Sequence, residues 1–428
     1  MTTLSDVRRQ AFSSLSNPNY RRYTRGQAVS LAGTWMQMIA QSWLVLELTG
    51  SAAALGAVIA LQTLPTLVLG PYAGVVADRM DKRRLMIGLQ AAMGVLALAL
   101  GLLTITGLIT LWQVYVLALL LGIDNCFENP ARQSFVLEMV GPDELRNAVS
   151  LNSVMVNVAR VVGPAIAGIV ISLGGIALCF LLNAASFVAV VVSLIRLDTA
   201  ALQPSAPTPR APGQLREGFA YVRRTPALAV PLLMMALVGC LAYEFQVVLP
   251  VVAQETFAGD ARTYGFLTAA MGLGAVVGGL YVAGWGRTGM PSLVVASGLF
   301  GLAMLGTAAA PTLPLALVGM ALVGASSVAF LSTGNSTLQL AADPQMRGRV
   351  MALWAVAFLG STPIGGPIAG LVVEWFGGRA GLVLGGVACL VAAVAGAVVV
   401  KSARKVARQA PPAPMLAPQA PLSAPAEC

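Results

Sequence analysis

Histidine is absent from the 428 residues, lysine occurs three times, and charged side chains of every kind make up only 10% of the chain. A soluble globular protein carries roughly 25% charged residues, so the composition argues against a water-soluble enzyme from the outset. None of the lysines (Lys82, Lys401, Lys405) follows a glycine, so no phosphate-binding loop is present and ATP is not the direct energy source. Cysteine is equally uninformative for chemistry. Cys126, Cys179, Cys240 and Cys389 lie within apolar stretches, and no C-x-x-C spacing occurs. A zinc site or a disulfide framework therefore has no support. The last residue, Cys428, is misplaced for prenylation. No nucleophile–base pair, metal constellation or cofactor motif is visible, so the chain reads as a non-enzyme without cofactor or metal.

Apolar length is what the chain has instead. Hydrophobic residues make up 57% and the mean hydropathy is +0.81. A helix needs about 20 apolar residues to cross the hydrocarbon core, and twelve such runs can be counted. They lie near 25–48, 52–77, 85–106, 111–131, 148–172, 175–195, 227–253, 263–284, 290–309, 313–338, 350–374 and 380–400. Residues 1–24 are polar and arginine-bearing and do not read as a signal peptide. Residues 198–226, with Pro204, Pro207, Pro209 and Pro212, have a linker's composition, and the Ala/Pro-rich tail 401–428 reads as disordered. The expected architecture is an all-α integral membrane protein of two six-helix bundles, 25–197 and 227–400.

A net charge of +9 raises the question of nucleic acid, but the basic residues occupy the gaps between runs and the termini. With both termini placed in the cytoplasm, 23 of the 26 lysines and arginines fall on that side, as the positive-inside rule requires. The partners expected are the lipid bilayer, protons and a small molecule, with no nucleic acid and the chain acting as a monomer.

The halves echo one another. Arg146-Asn147-Ala148-Val149 followed by Gly163-Pro164-Ala165-Ile166-Ala167-Gly168 in the fifth run matches Arg347-Gly348-Arg349-Val350 followed by Gly366-Pro367-Ile368-Ala369-Gly370 in the eleventh. Between the second and third runs, Gly74-Val75-Val76-Ala77-Asp78-Arg79-Met80-Asp81-Lys82-Arg83-Arg84 resembles the loop motif G-x-x-x-D-[RK]-x-G-[RK]-[RK] of the major facilitator superfamily, with Asp81 at the position of the family's glycine. The resemblance covers the whole transmembrane region. It implies a latch in which Gly74, Asp78, Arg79 and Arg83 meet Arg347 and Arg349 at the start of the eleventh run. In the second half Ala283 stands where the aspartate would be, so one latch is expected. Gly163-Pro164 is similar to a degraded form of the superfamily's antiporter motif, read either as a gate or as plain helix packing.

Charges within the bilayer cost about 2.5–3.5 kcal/mol each at a helix centre and are functional candidates by default. Asp124 and Glu128 in the fourth run share a face with Arg132; Arg160 lies in the fifth run and Glu244 in the seventh. With no histidine, a proton relay has to use these carboxylates, and Asp124 or Glu128 is expected either to alternate between an Arg160 ion pair and a protonated state or to lock permanently to it. Ser30, Thr34, Gln37 and Gln41 form one stripe on the first run, read as cavity-facing or as inter-helix glue. Asn157, Tyr243 and Gln246 complete the candidate cavity.

Asn17-Pro18-Asn19-Tyr20-Arg21-Arg22-Tyr23, Asn129-Pro130-Ala131-Arg132-Gln133-Ser134-Phe135 and Arg347-Gly348-Arg349-Val350 resemble bacterial exporters of the enterobactin-exporter and multidrug-efflux branch. The arginine found midway along the fourth helix of drug/proton antiporters is missing here. The resemblance implies an inner-membrane secondary exporter of a drug or siderophore by proton antiport and alternating access. A lysophospholipid flippase and a non-transporting sensor or scaffold are the alternatives.

Overall fold

The computed structural model describes residues 12–203 and 214–409. Arg8 and Arg9, the linker prolines, the tail beyond Gln409 and Cys428 lie outside the described residues, as does the side chain of Asp78. Among the described residues there is no strand. Every apolar run is helical: α1 Pro18–Thr49, α2 Ala52–Arg79, α3 Lys82–Ile105, α4 Leu111–Gly174, α5 Ile176–Ile195, α6 Gln214–Arg224, α7 Pro226–Ala242, α8 Phe245–Val251, α9 Ala261–Trp285, α10 Met290–Ala308, α11 Leu313–Ala341, α12 Arg347–Leu359, α13 Thr362–Phe376 and α14 Gly378–Gln409. Among the described residues ten spans are long and apolar enough to cross a membrane. α1 is not among them although it has 32 residues, because its polar stripe dilutes its hydropathy.

Side chains fix the helix starts. Asn17 accepts from the amides of Asn19 and Tyr20 with Pro18 following it, Ser51 accepts from Ala54, and Asp260 from Arg262 and Thr263. Asp81 departs from the superfamily glycine for the same reason, since its carboxylate accepts from the Arg84 amide at 2.8 Å and caps α3. α4 merges the fourth and fifth runs. A straight 64-residue helix would be about 96 Å long, and the chain instead breaks at Gly141, whose φ of 73° and ψ of 174° are open to glycine. Pro142 follows, and the two limbs are 111–140 and 142–174.

Two ends can be told apart. One carries both described ends of the chain, and there Asn19 bonds Asp198 and Ser14 bonds Asn147; we call it the terminal end. At the opposite, far end the α1–α2, α3–α4 and α13–α14 turns gather. The first half (α1–α5) and second half (α7–α14) meet along two seams, α4 on α9 and α2 on α13. Small residues make both seams close. A methyl group at Gly265 would lie 2.5 Å from the Pro164 carbonyl oxygen, and one at Gly56 would lie 2.4 Å from that of Gly366.

Candidate functional site

Gly163-Pro164 and Gly366-Pro367 occupy equivalent places on these seams. Gly163 faces α1 at Ala32 and Trp35, while Pro164 and Gly168 face α9. Gly366 and Gly370 face Gly56 and Ala52 of α2, and Gly365 faces Cys240 of α7. The glycines let backbones touch, and each proline leaves a carbonyl without an amide partner one turn earlier.

The seventh run is interrupted between α7 and α8 at Tyr243 and Glu244. α8 packs on α1 and α2 of the other half, so the interruption lies at the seam. Glu244 is 4% exposed, makes no ion pair among the described residues, and its Oε1 finds no hydrogen-bond donor. A methyl at Gly365 would stand 1.9 Å from the Cys240 carbonyl oxygen and 2.8 Å from Glu244 Oε1, so glycine at 365 is what admits the carboxylate. Tyr243 donates to the Ser327 carbonyl at 2.9 Å and packs edge-on against Phe245, Phe300 and Phe358. Gln246 is half-buried in the first turn of α8. Across the seam, Arg160 lies 5.2 Å over the Trp35 ring and its Nε has no acceptor. That cation–π contact contributes about 0.5–2 kcal/mol. Its backbone abuts Gly272 of α9.

Arg160 does not pair with Asp124 or Glu128. Glu128 accepts instead from Arg132 on its own helix at 3.0 Å and from Gln90 of α3 at 3.3 Å. The first limb of α4 turns these carboxylates into the first half, whereas the second limb turns Arg160 onto the seam. Asp124 is 6% exposed with an unpartnered Oδ2, and Tyr23, Thr24, Gln27 and Gln90 also keep buried oxygens without partners. The α1 stripe is divided in the same way. Gln37 is buried and accepts from Asn183 of α5 at 2.7 Å, Gln41 and Ser30 are buried, and only Thr34 is exposed, donating to the Ser30 carbonyl. Gln37 is therefore inter-helix glue, because Gly33 leaves room for Asn183 beside it. Asn157 donates to the Ser153 carbonyl of its own helix.

Among the latch residues whose side chains are described, none bonds to another. Gly74 is buried in α2 and Arg79 is exposed. Arg83 donates to the carbonyls of Leu194 and Ile195 at 2.9 and 2.8 Å, holding the C-terminus of α5. Arg349 pairs with Glu217 of α6 at 2.8 Å, and Arg347 is exposed. α6 lies in the stretch read as an unstructured linker. It is tied to the second half again where Tyr221 donates to Asp343 at 2.9 Å.

Sequence reading missed the far end. Glu374 of α13 accepts from the amides of Ala52 and Ala53 at 2.6 and 3.2 Å, and Arg262 of α9 donates to Ser172 of α4 at 2.8 Å. Ser42 of α1 and Tyr264 of α9 also hydrogen-bond between the halves toward that end, so the halves are fastened at the far end. A carboxylate on a helix N-terminus contributes about 1 kcal/mol. Glu374→Ala is expected to raise the population separated at the far end about fivefold. Electron–electron distance measurements between spin labels at the exposed Leu173 and Phe376 read this directly, and an unchanged distance distribution would contradict the fastening role.

A family model for transmembrane secretion effectors matches residues 9–424. Macrolide efflux protein A of Streptococcus pyogenes is 23% identical over 82% of this chain and 88% of its own length. The enterobactin exporter EntS of Shigella boydii is 27% identical over 78% of each. The MFS-type transporter YfiS of Bacillus subtilis is 30% identical, over 48% of this chain and about half of its own length. The fold is similar to that of a bacterial homologue of the human lysosomal transporter Spinster in its inward-facing, occupied conformation, with a TM-score of 0.70, 15% identity and coverage of 90% and 98%. These relatives are transporters and not enzymes. The chain is thus a multi-pass membrane protein that belongs to the transmembrane secretion effector family of the major facilitator superfamily.

Proposed function

We propose that the protein is a secondary active exporter of the bacterial inner membrane, driving a small amphipathic drug or siderophore outward by proton antiport. The observation that carries this reading is the pair of under-partnered charges, Glu244 and Arg160, on a seam whose hydrogen bonds, among the described residues, lie at the far end. Ionisable groups left this way within a membrane span serve a binding or titration step, since a purely structural role would have paired them. The names of two relatives, a macrolide efflux protein and an enterobactin exporter, point to the same substrate class.

Counting the limbs of α4 separately and adding α1 brings the ten spans to twelve, in bundles 25–197 and 227–400 joined by the cytoplasmic segment 198–226. Both termini are cytoplasmic by the placement of arginine and lysine, so the fastened end is periplasmic and the seam opens toward the cytoplasm. Alternating access follows as separation of the far-end contacts and closure of the terminal end, where Asp78, Arg347 and Arg349 would meet. A monomer suffices, and neither a cofactor nor nucleic acid enters the cycle.

Everted membrane vesicles test the reading. Uptake of a macrolide, a cationic dye or a catecholate siderophore is expected on energisation and to collapse with an uncoupler. Uptake of these probes that is indifferent to the proton gradient would remove proton antiport, and lysolipid flipping would be assayed in its place.

A further inference from the structure

α1 and α5 run antiparallel at the terminal end, and their outward faces form one amphiphilic groove of about 390 Å³. On α1 the exposed residues Arg22, Arg25 and Val29 succeed one another at helical spacing, and Ala189 and Val192 of α5 do the same with Arg196, which caps that helix's C-terminus. The opposed directions bring the arginines together, and Arg22 donates to the Arg196 carbonyl at 3.3 Å. Gly26 sets the floor, since a methyl there would lie 3.0 Å from Ser193 Oγ and 3.3 Å from the Ala189 carbonyl. No carboxylate lines the groove, and none of its three arginines makes an ion pair among the described residues. α5 packs on α1, α3 and α4 of its own half, so the groove lies away from the seams that carry Glu244 and Arg160.

We propose that this groove binds an anionic phospholipid of the leaflet at the terminal end. The charge gradient selects that occupant. Guanidinium groups at the mouth offer several charge-assisted donors to a phosphodiester. One to two turns deeper the lining becomes Val29, Ala189 and Val192, which suits an acyl chain and offers nothing to a soluble anion. Basic pockets between transmembrane helices at the cytoplasmic side hold anionic lipid headgroups by this combination. The site is independent of the transport reading, because it requires only that the chain spans a membrane.

Native mass spectrometry of the purified full-length protein tests it, with phosphatidylglycerol, phosphatidylcholine and glycerol 3-phosphate as separate probes. At about fivefold per arginine, the triple variant Arg22→Gln, Arg25→Gln, Arg196→Gln is expected to bind phosphatidylglycerol about a hundredfold more weakly, with phosphatidylcholine unchanged. Ala189→Trp keeps the arginines and fills the apolar end, and is expected to weaken the same lipid. A charge-matched variant at exposed arginines elsewhere on that end, Arg84→Gln, Arg223→Gln, Arg224→Gln, is expected to retain it. Equal weakening in that control, full binding by the groove variants, or glycerol 3-phosphate bound as tightly as the lipid would each overturn the proposal.

Discussion

Glu138→Leu is expected to destabilise the protein by about 3–5 kcal/mol, the loss found when one partner of a buried ion pair is removed. Glu138 stands at the terminal end of the first limb of α4 and accepts from Lys82, at the start of α3, at 2.7 Å. The two side chains are 9% and 8% exposed, beside a cluster of Tyr20, Met86, Phe135 and Met139. Leucine leaves the Lys82 ammonium in that setting with its acceptor gone, whereas the pair itself gives back much of its attraction in desolvation. The double variant Lys82→Met, Glu138→Leu is therefore expected to recover most of the loss, to within about 1–2 kcal/mol of wild type. Chemical unfolding of wild type, Glu138→Leu, Lys82→Met and the double variant in one detergent measures the cycle. Equal losses in the single and double variants would show that the contribution of Glu138 is packing and not its charge.

The pairs that organise this molecule show which parts of it are legible in the sequence. Hydropathy is a local property, and the apolar runs fall on helices, the seventh and eleventh each broken once, at 243–244 and 360–361. Local signals also fix the caps, as at Asn17, Ser51 and Asp260. The stretch between the fourth and fifth runs was harder. Arg132 and Arg146 mark it as extramembrane, but they do not reveal that the helix continues on both sides of Gly141. In the linker, prolines masked the short helix α6, whose partners Arg349 and Asp343 lie more than a hundred residues away.

The candidate site failed in the same direction. Asp124, Glu128 and Arg160 all belong to adjacent runs, and sequence proximity suggested a pair. The reversal at Gly141 sends the two limbs of α4 to different neighbours, so Glu128 meets Gln90 and Arg160 meets Trp35. Gln37 falls on the polar stripe of α1, yet its partner Asn183 is a tertiary fact. Glu374 gave no sequence signal at all, since a lone glutamate near a helix end resembles any solvated terminus. What the sequence did single out correctly as isolated was Glu244, for which no basic partner was evident and none is found among the described residues.

That isolation makes Glu244→Gln the variant with the largest expected effect on transport. Glutamine keeps the side chain's volume in the space that Gly365 leaves beside it and fills the break between α7 and α8 equally well. It removes only the capacity to gain and lose a proton. Gradient-driven uptake in everted vesicles is expected to fall at least about tenfold, or 1.4 kcal/mol of lost driving force, while thermal stability and passive substrate exchange persist. Exchange should also lose its dependence on pH, because the unpartnered carboxylate at the break between α7 and α8 is then gone. Asp124→Asn separates the two candidate carboxylates. Asp124 lies inside the first half, away from both seams, so its loss is expected to leave the gradient dependence intact. If Asp124→Asn abolishes driven uptake and Glu244→Gln does not, the titrating group belongs with Gln90, Glu128 and Arg132, and the seam binds substrate alone. Loss in both would mean that the proton crosses the first half before it reaches the seam, with Asp124 and Glu244 as successive stations.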